Sequence, residues 1–398
     1  MSRLPGFEEG YDEEEEDEIG ETEESDIIAQ QRDKKSDKYE DPSFPASRAS
    51  LYRNHHSVPE YDKHVREVTW LRPEQISKDP DYFKSAAQGA VSVAHGQLDD
   101  SWLLGALAAV AAHPSGLIEN LFLSERDDFK TFGVYTCRFY KNGEWHEVVA
   151  DTRVPCATLG EGADLATGSL APGTPAPLYG RGVDLNEQWV PLLEKAYAKL
   201  HGSYEALNGG NVGEALVDLT GGCCETVLLT DDAIRRMADD GRLWDKLSHF
   251  LSWRYVLACI WTDPVGPHGP GGASSSSRGL AFAPASSADH AGGGSGIGGG
   301  LSGGDGGQSG PGGGLLPNHA YGVMDARESG GFRLVRVRNP WSKGVWEGDW
   351  SEGSPLWDDY PEVGAALSSD PLMPWQRNAC DGTFWMSFKD FCRRFNQV

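Results

Sequence analysis

The sequence predicts an α+β fold in which a mainly helical lobe precedes a mainly β lobe. Three observations carry this. Helix-forming stretches recur through residues 41–261, beginning with an Ala- and Leu-rich segment at 101–112. Strand patterning follows in residues 318–398, where Phe332-Arg333-Leu334-Val335-Arg336-Val337-Arg338 alternates with period two. Two segments of extreme composition, 1–40 and 262–317, lie outside both blocks and leave about 300 residues for a core.

In chain order, residues 1–40 hold 16 acids and 5 bases, with the run Asp12-Glu13-Glu14-Glu15-Glu16-Asp17-Glu18 at their centre. Like charges repel and little apolar surface is available, so a disordered acidic tail is expected. It either solubilises the chain or docks a basic partner. Ser101 to Ala112 is apolar nearly all round, so the helix there should be buried. Asp99, Asp100 and Ser101 offer N-cap chemistry, and His113-Pro114 ends it. Thr131–Phe139 and Glu144–Asp151 read as strands around an Asn142-Gly143 hairpin turn. Leu192–Leu200, Asp231–Arg242 and Leu243–Trp253 read as helices. Residues 262–317 contain 20 Gly in 56 positions and no hydrophobic period, which predicts a flexible insertion. Its glycines lack the strand-to-helix context of a phosphate-binding loop. His319–Met324 and Phe332–Arg338 should pair as strands.

Composition excludes several classes. With 35 basic and 60 acidic residues the formal charge is −25, which disfavours general nucleic-acid binding, since phosphate recognition needs a basic surface. The longest apolar run, Trp102–Ala112, falls short of the ~20 residues of a membrane span. The N-terminus carries no apolar secretory core, and Ser2 stands where myristoylation requires Gly. Seven scattered Cys without a C-x-x-C pair fit a reduced, cytoplasmic chain.

The arrangement of the two lobes suits nucleophilic chemistry. A nucleophile at the N-terminus of a buried helix feels the positive end of its dipole, which for Cys favours thiolate. A His from a β lobe can pair with it across a cleft, and an Asn can orient that His. The sequence supplies His319 at a strand start, Asn339 at the end of the next strand, and Trp341 to shield the Asn–His bond. With the 56-residue insertion removed, the helix start and His319 are 162 residues apart, close to the papain-type spacing of about 130–150.

At these residues the chain resembles the protease core of the calpain family. Asp100-Ser101-Trp102-Leu103-Leu104 is similar to the family's D-C-W-L-L. Further similar stretches are Leu192-Leu193-Glu194-Lys195-Ala196-Tyr197-Ala198-Lys199, Gly202-Ser203-Tyr204-Glu205-Ala206-Leu207, Asp218-Leu219-Thr220-Gly221-Gly222, His319-Ala320-Tyr321, Arg338-Asn339-Pro340-Trp341 and Phe384-Trp385-Met386-Ser387-Phe388. They occur in family order over about residues 66–396. The resemblance implies a papain-like core of two subdomains, 41–215 and 216–398, with a cleft between them and the second interrupted by 262–317. It also implies a calcium-dependent cysteine-type endopeptidase.

The departures bear on activity. Ser101 stands at the family's Cys position, and none of Cys137, Cys156, Cys223, Cys224, Cys259, Cys380 and Cys392 opens a comparable helix. His95 stands where the family has the oxyanion Gln, with Gln97 a stand-in at another offset, and Asp99 replaces a Gly. His319, Asn339 and Trp341 remain; packing as a satisfied polar pair also accounts for the His and Asn. A Ser must lose its proton during attack, and Asn339 cannot stabilise the resulting imidazolium with a charge. Exchanging a triad carboxylate for its amide costs about 10⁴ in rate, and losing an oxyanion donor about 10²–10³. A non-catalytic core is therefore expected.

The family's Ca²⁺ sites map onto Ser92 and Glu194, and onto Val345, Glu352, Asp381 and Thr383. Ca²⁺ takes 6–8 oxygens, several of them carboxylates. Only Glu194, Glu352 and Asp381 keep one, so calcium binding should be weak or absent, and the remaining acids read as solvated surface charge. No other cofactor is implied. The sequence closes at Val398, and the β-sandwich and EF-hand modules that follow the core in many calpains have no counterpart in it; a short family member and a piece of a longer chain both fit. The insertion before His319 either covers the cleft, recruits a partner or is a neutral expansion. Three functions follow: a non-catalytic protein that binds peptides or partners through cleft, tail or insertion; a residual endopeptidase using Ser101, His319 and Asn339; or a structural, cytoskeleton-associated component.

Overall fold

The structure is a computed structural model. It describes residues 22–34, 38–54, 56, 59, 68–83, 93–158, 174–262, 313–340, 345–369, 375–377 and 381–398. Most of the acidic tail, nearly all of the Gly-rich insertion, Ser92, Trp341 and Cys380 lie outside the described residues.

The helices are α1 (Glu23–Lys34), α2 (Arg48–Leu51), α3 (Pro73–Ile76), α4 (Ser101–Ala111), α5 (Arg126–Thr131), α6 (Trp189–His201), α7 (Val212–Thr220), α8 (Asp232–Asp239), α9 (Arg242–Ser252), α10 (Leu356–Asp359), α11 (Pro361–Ser368) and α12 (Phe388–Arg394). The strands are β1 (Thr69–Leu71), β2 (Val93–Ala94), β3 (Val134–Lys141), β4 (Glu144–Asp151), β5 (Val154–Thr158), β6 (Pro175–Pro177), β7 (Arg181–Gly182), β8 (Leu257–Trp261), β9 (His319–Ser329), β10 (Phe332–Arg338) and β11 (Thr383–Ser387).

The α+β class holds, with more strand in the first half than the helical reading anticipates. Small antiparallel sheets, β1-β5-β6, β2-β7 and β3-β4, surround α4 and α6 there. The hairpin β3-β4 turns at Asn142 (φ 54°) and Gly143 (φ 94°), and both central residues need the left-handed region. Its first strand starts at Val134 and not at Thr131. Thr131 ends α5, and Gly133, at φ 69°, separates helix from strand.

In the second half β11-β10-β9-β8 form one antiparallel sheet. Strand side chains alternate between faces, and here both faces are covered. Ala258, Ile260 and Ala320 join a large apolar cluster with α4, α6 and β3. Their neighbours Leu257, Cys259, Trp261, Tyr321 and Val323 join a second cluster with α9 and α12. The first cluster draws its other residues from Phe44 through Leu219, and the second resumes at Val227. A third, Trp-rich cluster gathers Trp350, Trp357, Trp375 and Trp385.

Residues 23–34, assigned to the acidic tail by composition, form α1. Ile28 supplies the reason: it is buried with Val134 and Val149. Glu24 accepts hydrogen bonds from the hydroxyls of Ser124 (2.8 Å) and Thr136. A few apolar positions and one carboxylate oxygen with two hydroxyl donors dock a segment whose overall charge suggests disorder.

Candidate active site

Helix α4 lies on β9 through small residues. A Cβ on Gly105 would stand 3.2 Å from the Ala320 carbonyl oxygen, and one on Gly322 would stand 3.4 Å from the Gly105 oxygen and the Ala109 nitrogen. The two glycines let helix and strand approach with little room for a side chain between them. One helical turn before Gly105 is Ser101, and one residue before Ala320 is His319, so the packing puts the helix start and the strand start on one patch.

All three predicted active-site side chains in the described region are buried: Ser101 5%, His319 4% and Asn339 0% exposed. Asn339 follows β10 and is held by its N–H donating to the Gly382 carbonyl at 2.9 Å. Its Oδ1 lies 2.8 Å from His319 Nε2. A carbonyl oxygen only accepts, so Nε2 carries the hydrogen and the neutral ring has its lone pair on Nδ1. Burial pulls the His319 pKa down to about 4, against the opposing hydrogen bond to Asn339. The ring is neutral at pH 7.

His95 is part of the same buried group. Its N–H donates to the Pro340 carbonyl at 3.2 Å, next to Asn339. Its ring centroid is 6.3 Å from that of His319. Nδ1 lies 2.8 Å from the Gly96 oxygen, and Nε2 lies 3.3 Å from Asp100 Oδ1. Burial, and then the His319 ring, lower the His95 pKa to about 3. Burial and Glu194 push the Asp100 carboxyl well up. With the His95 ring neutral, its contact with Asp100 is not an ion pair, although the distance is that of one.

Asp100 does occupy the N-cap position of α4, but its side chain makes no capping bond. It turns inward to Glu194 instead. Glu194, 1% exposed, accepts from the Gly180 N–H with both oxygens, at 2.9 and 3.0 Å. Burial raises its pKa to about 7, against the hydrogen bonds from Asp100 and Gly180. Two carboxyls in one closed space favour a shared proton. Sequence reasoning missed this pair; the one signal was a Glu inside the apolar stretch Leu192–Ala198. Asp99, mostly buried, is raised to about 6 by desolvation.

Trp102 fixes the helix start. Its Nε1–H donates to the Leu207 carbonyl at 2.9 Å, and its ring would be 2.2 Å from a Cβ on Gly210. Gln97, the alternative oxyanion donor, is exposed and stands outside the buried group.

Of the residues proposed for calcium, Glu194, Val345, Glu352, Asp381 and Thr383 lie among the described residues. The Glu194 carboxyl is no solvated surface charge: it faces Gly180 and Asp100 in the core. Asp381 Oδ1 accepts from the Thr383 N–H at 2.8 Å, and the Glu352 carbonyl accepts from Arg377 Nε at 2.9 Å. Among the described residues no three His, Cys, Asp or Glu side chains are grouped to hold a metal. No helix among them is long and apolar enough to cross a membrane.

Residues 39–398 match the model of the calpain family cysteine proteases. The chain is 33% identical over 369 residues to the calpain-type cysteine protease DEK1 of Zea mays, covering 90% of this chain and 14% of that protein. It is 30% identical over 371 residues to Calpain-A of Drosophila melanogaster, covering 90% and 35%. To human Calpain-9 it is 30% identical over 370 residues, covering 90% and 42%. The chain thus spans less than half the length of each of these relatives. With a family match over nine-tenths of its length and relatives of this identity, the chain belongs to the calpain family.

Proposed function

We propose that this chain is a calpain core that no longer runs cysteine-protease chemistry and holds peptide segments or protein partners in its cleft. Supporting this above all is Ser101 at the N-terminus of α4, taken as the position of the family's nucleophile, with His319 neutral and buried at the start of β9, the strand against which α4 packs. A thiol there would be ionised readily by the helix dipole and an imidazolium. A Ser hydroxyl would not: its proton must pass to His319 during attack, and burial disfavours that imidazolium. Asn339 orients the ring without offering charge, and His95, turned to Asp100 and Gly96, is engaged where an oxyanion donor is needed. In this reading the two subdomains are residues 41–215 and 216–398, an extended peptide binds by main-chain hydrogen bonds along the groove between them, and the acidic tail docks a basic partner in the cytoplasm.

A second reading, a residual endopeptidase using Ser101, His319 and Asn339, is favoured by the 2.8 Å His319–Asn339 hydrogen bond. A structural, cytoskeleton-associated role is the third. A fluorogenic peptidase assay on the chain and on Ser101→Ala, with Ca²⁺ and with chelator, separates the first two. Turnover lost in Ser101→Ala establishes the second; no turnover in either, with saturable peptide binding, supports the first.

A further inference from the structure

A cavity of about 800 Å³ lies at the far end of α4 from Ser101, past His113. The helix has 11 residues, so the two sites are about 16 Å apart along its axis. The cavity is within the range of small-molecule pockets, about 300–1,000 Å³. Its walls are largely apolar, from Leu216 and Val217 of α7 to Leu247 and Phe250 of α9. It sits where the chain passes from the first apolar cluster, ending at Leu219, to the second, resuming at Val227.

Two chemical features mark its rim. Cys223 and Cys224 are adjacent, free and exposed, whereas Cys137, Cys156 and Cys259 are buried. Arg254 also lines it, and among the described residues this guanidinium has no ion-pair partner, while the acidic side chain among the lining residues, Glu225, is paired with Lys246. Apolar walls, a soft nucleophile and an unpaired cation are complementary to one kind of molecule.

We propose that the cavity binds an electrophilic fatty acid, a molecule with an apolar chain, an α,β-unsaturated carbonyl and a carboxylate. Its chain fills the cavity, its carboxylate meets Arg254, and Cys223 or Cys224 adds to the β-carbon. In that step an S–C bond forms, the C=C π bond breaks, and the thiol proton ends on the α-carbon; no oxidant or reductant is needed. The adduct would lie on the segment joining the two clusters. This site is independent of whether Ser101 is catalytic.

The test uses the whole chain and three probes: an oxo-octadecadienoic acid, its methyl ester, and acrylamide as a polar electrophile. Adducts are located and timed by mass spectrometry, and each rate is divided by that of the same probe with glutathione. Prior binding raises the effective concentration at the thiol, so the acid should modify Cys223 or Cys224 about tenfold faster than acrylamide on this scale. Unreactive decanoic acid should slow the fatty-acid probe and leave acrylamide unaffected. Arg254→Gln should bring the acid down to the rate of its ester. Equal normalised rates, no competition by decanoic acid, or faster adduct formation at Cys392 overturns the site. An acid-to-ester ratio unchanged in Arg254→Gln overturns the role of Arg254.

Discussion

Ser101→Cys, alone and together with His95→Gln, tests the inactive-core reading at its source. In the native chain a proton leaving Ser101 must be accepted by His319. Burial lowers that ring from 6.5 to about 4, and at 1.36 kcal/mol per unit this disfavours the imidazolium by about 3 kcal/mol, or about two orders of magnitude in rate. A thiol does not depend on His319 as general base in the same way. At the α4 N-terminus it gains the dipole, and thiolate and imidazolium stabilise each other. The single variant should therefore be alkylated by iodoacetamide at pH 6 faster than the exposed Cys223 and Cys224. Those are the proper internal reference, because burial raises the pKa of Cys137 and Cys259 well above the ordinary thiol value. Peptide turnover in the single variant should stay low. Adding His95→Gln supplies an amide donor and frees the Asp100 side, and should raise turnover by about 10²–10³. If the thiol of Ser101→Cys reacts no faster than Cys223, the pairing inferred from the α4–β9 packing is wrong. If native protein turns over peptide and Ser101→Ala does not, the inactive reading is wrong.

Other predictions concern the buried charges and packing. Glu194 is raised from 4.5 to about 7, so the folded state holds a proton that the unfolded state releases, and stability should fall as pH rises from about 4.5 to about 7. Glu194→Gln should flatten that slope in urea denaturation; an unchanged slope contradicts the assignment. Burial alone would raise Asp151, but Lys195 and Arg153 bring it to about 2, so its contribution is present above the ordinary Asp range and lost as pH falls toward 2. Asp151→Asn leaves the Lys195 ammonium, 2.7 Å away, without its charge partner; a loss of about 3–5 kcal/mol is expected at pH 7 by urea denaturation. Gly210→Ala forces a methyl against the Trp102 ring and should cost about 1–3 kcal/mol, read by the same method. Micromolar Ca²⁺ should leave the melting temperature within a degree or so of that in chelator, since binding stabilises only well above its dissociation constant; a rise of several degrees would show that the chain binds the ion.

Some of this molecule is decided locally, and that part was legible in the sequence. Helix α4 is written in an unbroken apolar run, the β3–β4 turn in Asn142-Gly143, and β10 in a period-two alternation, because each depends on neighbours within a few residues. The motifs around Ser101, His319 and Asn339 named the family for the same reason: short stretches of sequence carry them. What only the tertiary structure decided depends on burial, and burial comes from residues distant in the chain. Composition marks Glu23–Lys34 as solvated tail, yet Ile28 and Glu24 find partners on β3 and β4 and the segment folds. Asp100 reads as a capping residue and Glu194 as an acid on the surface, but the cluster built around α4 and α6 shuts both away from water, and burial raises both carboxyls. The lowered basicity of His319 has the same origin: imidazole loses its preference for charge once the sheet and the helix have closed over it, and the hydrogen bond to Asn339 offsets only part of this.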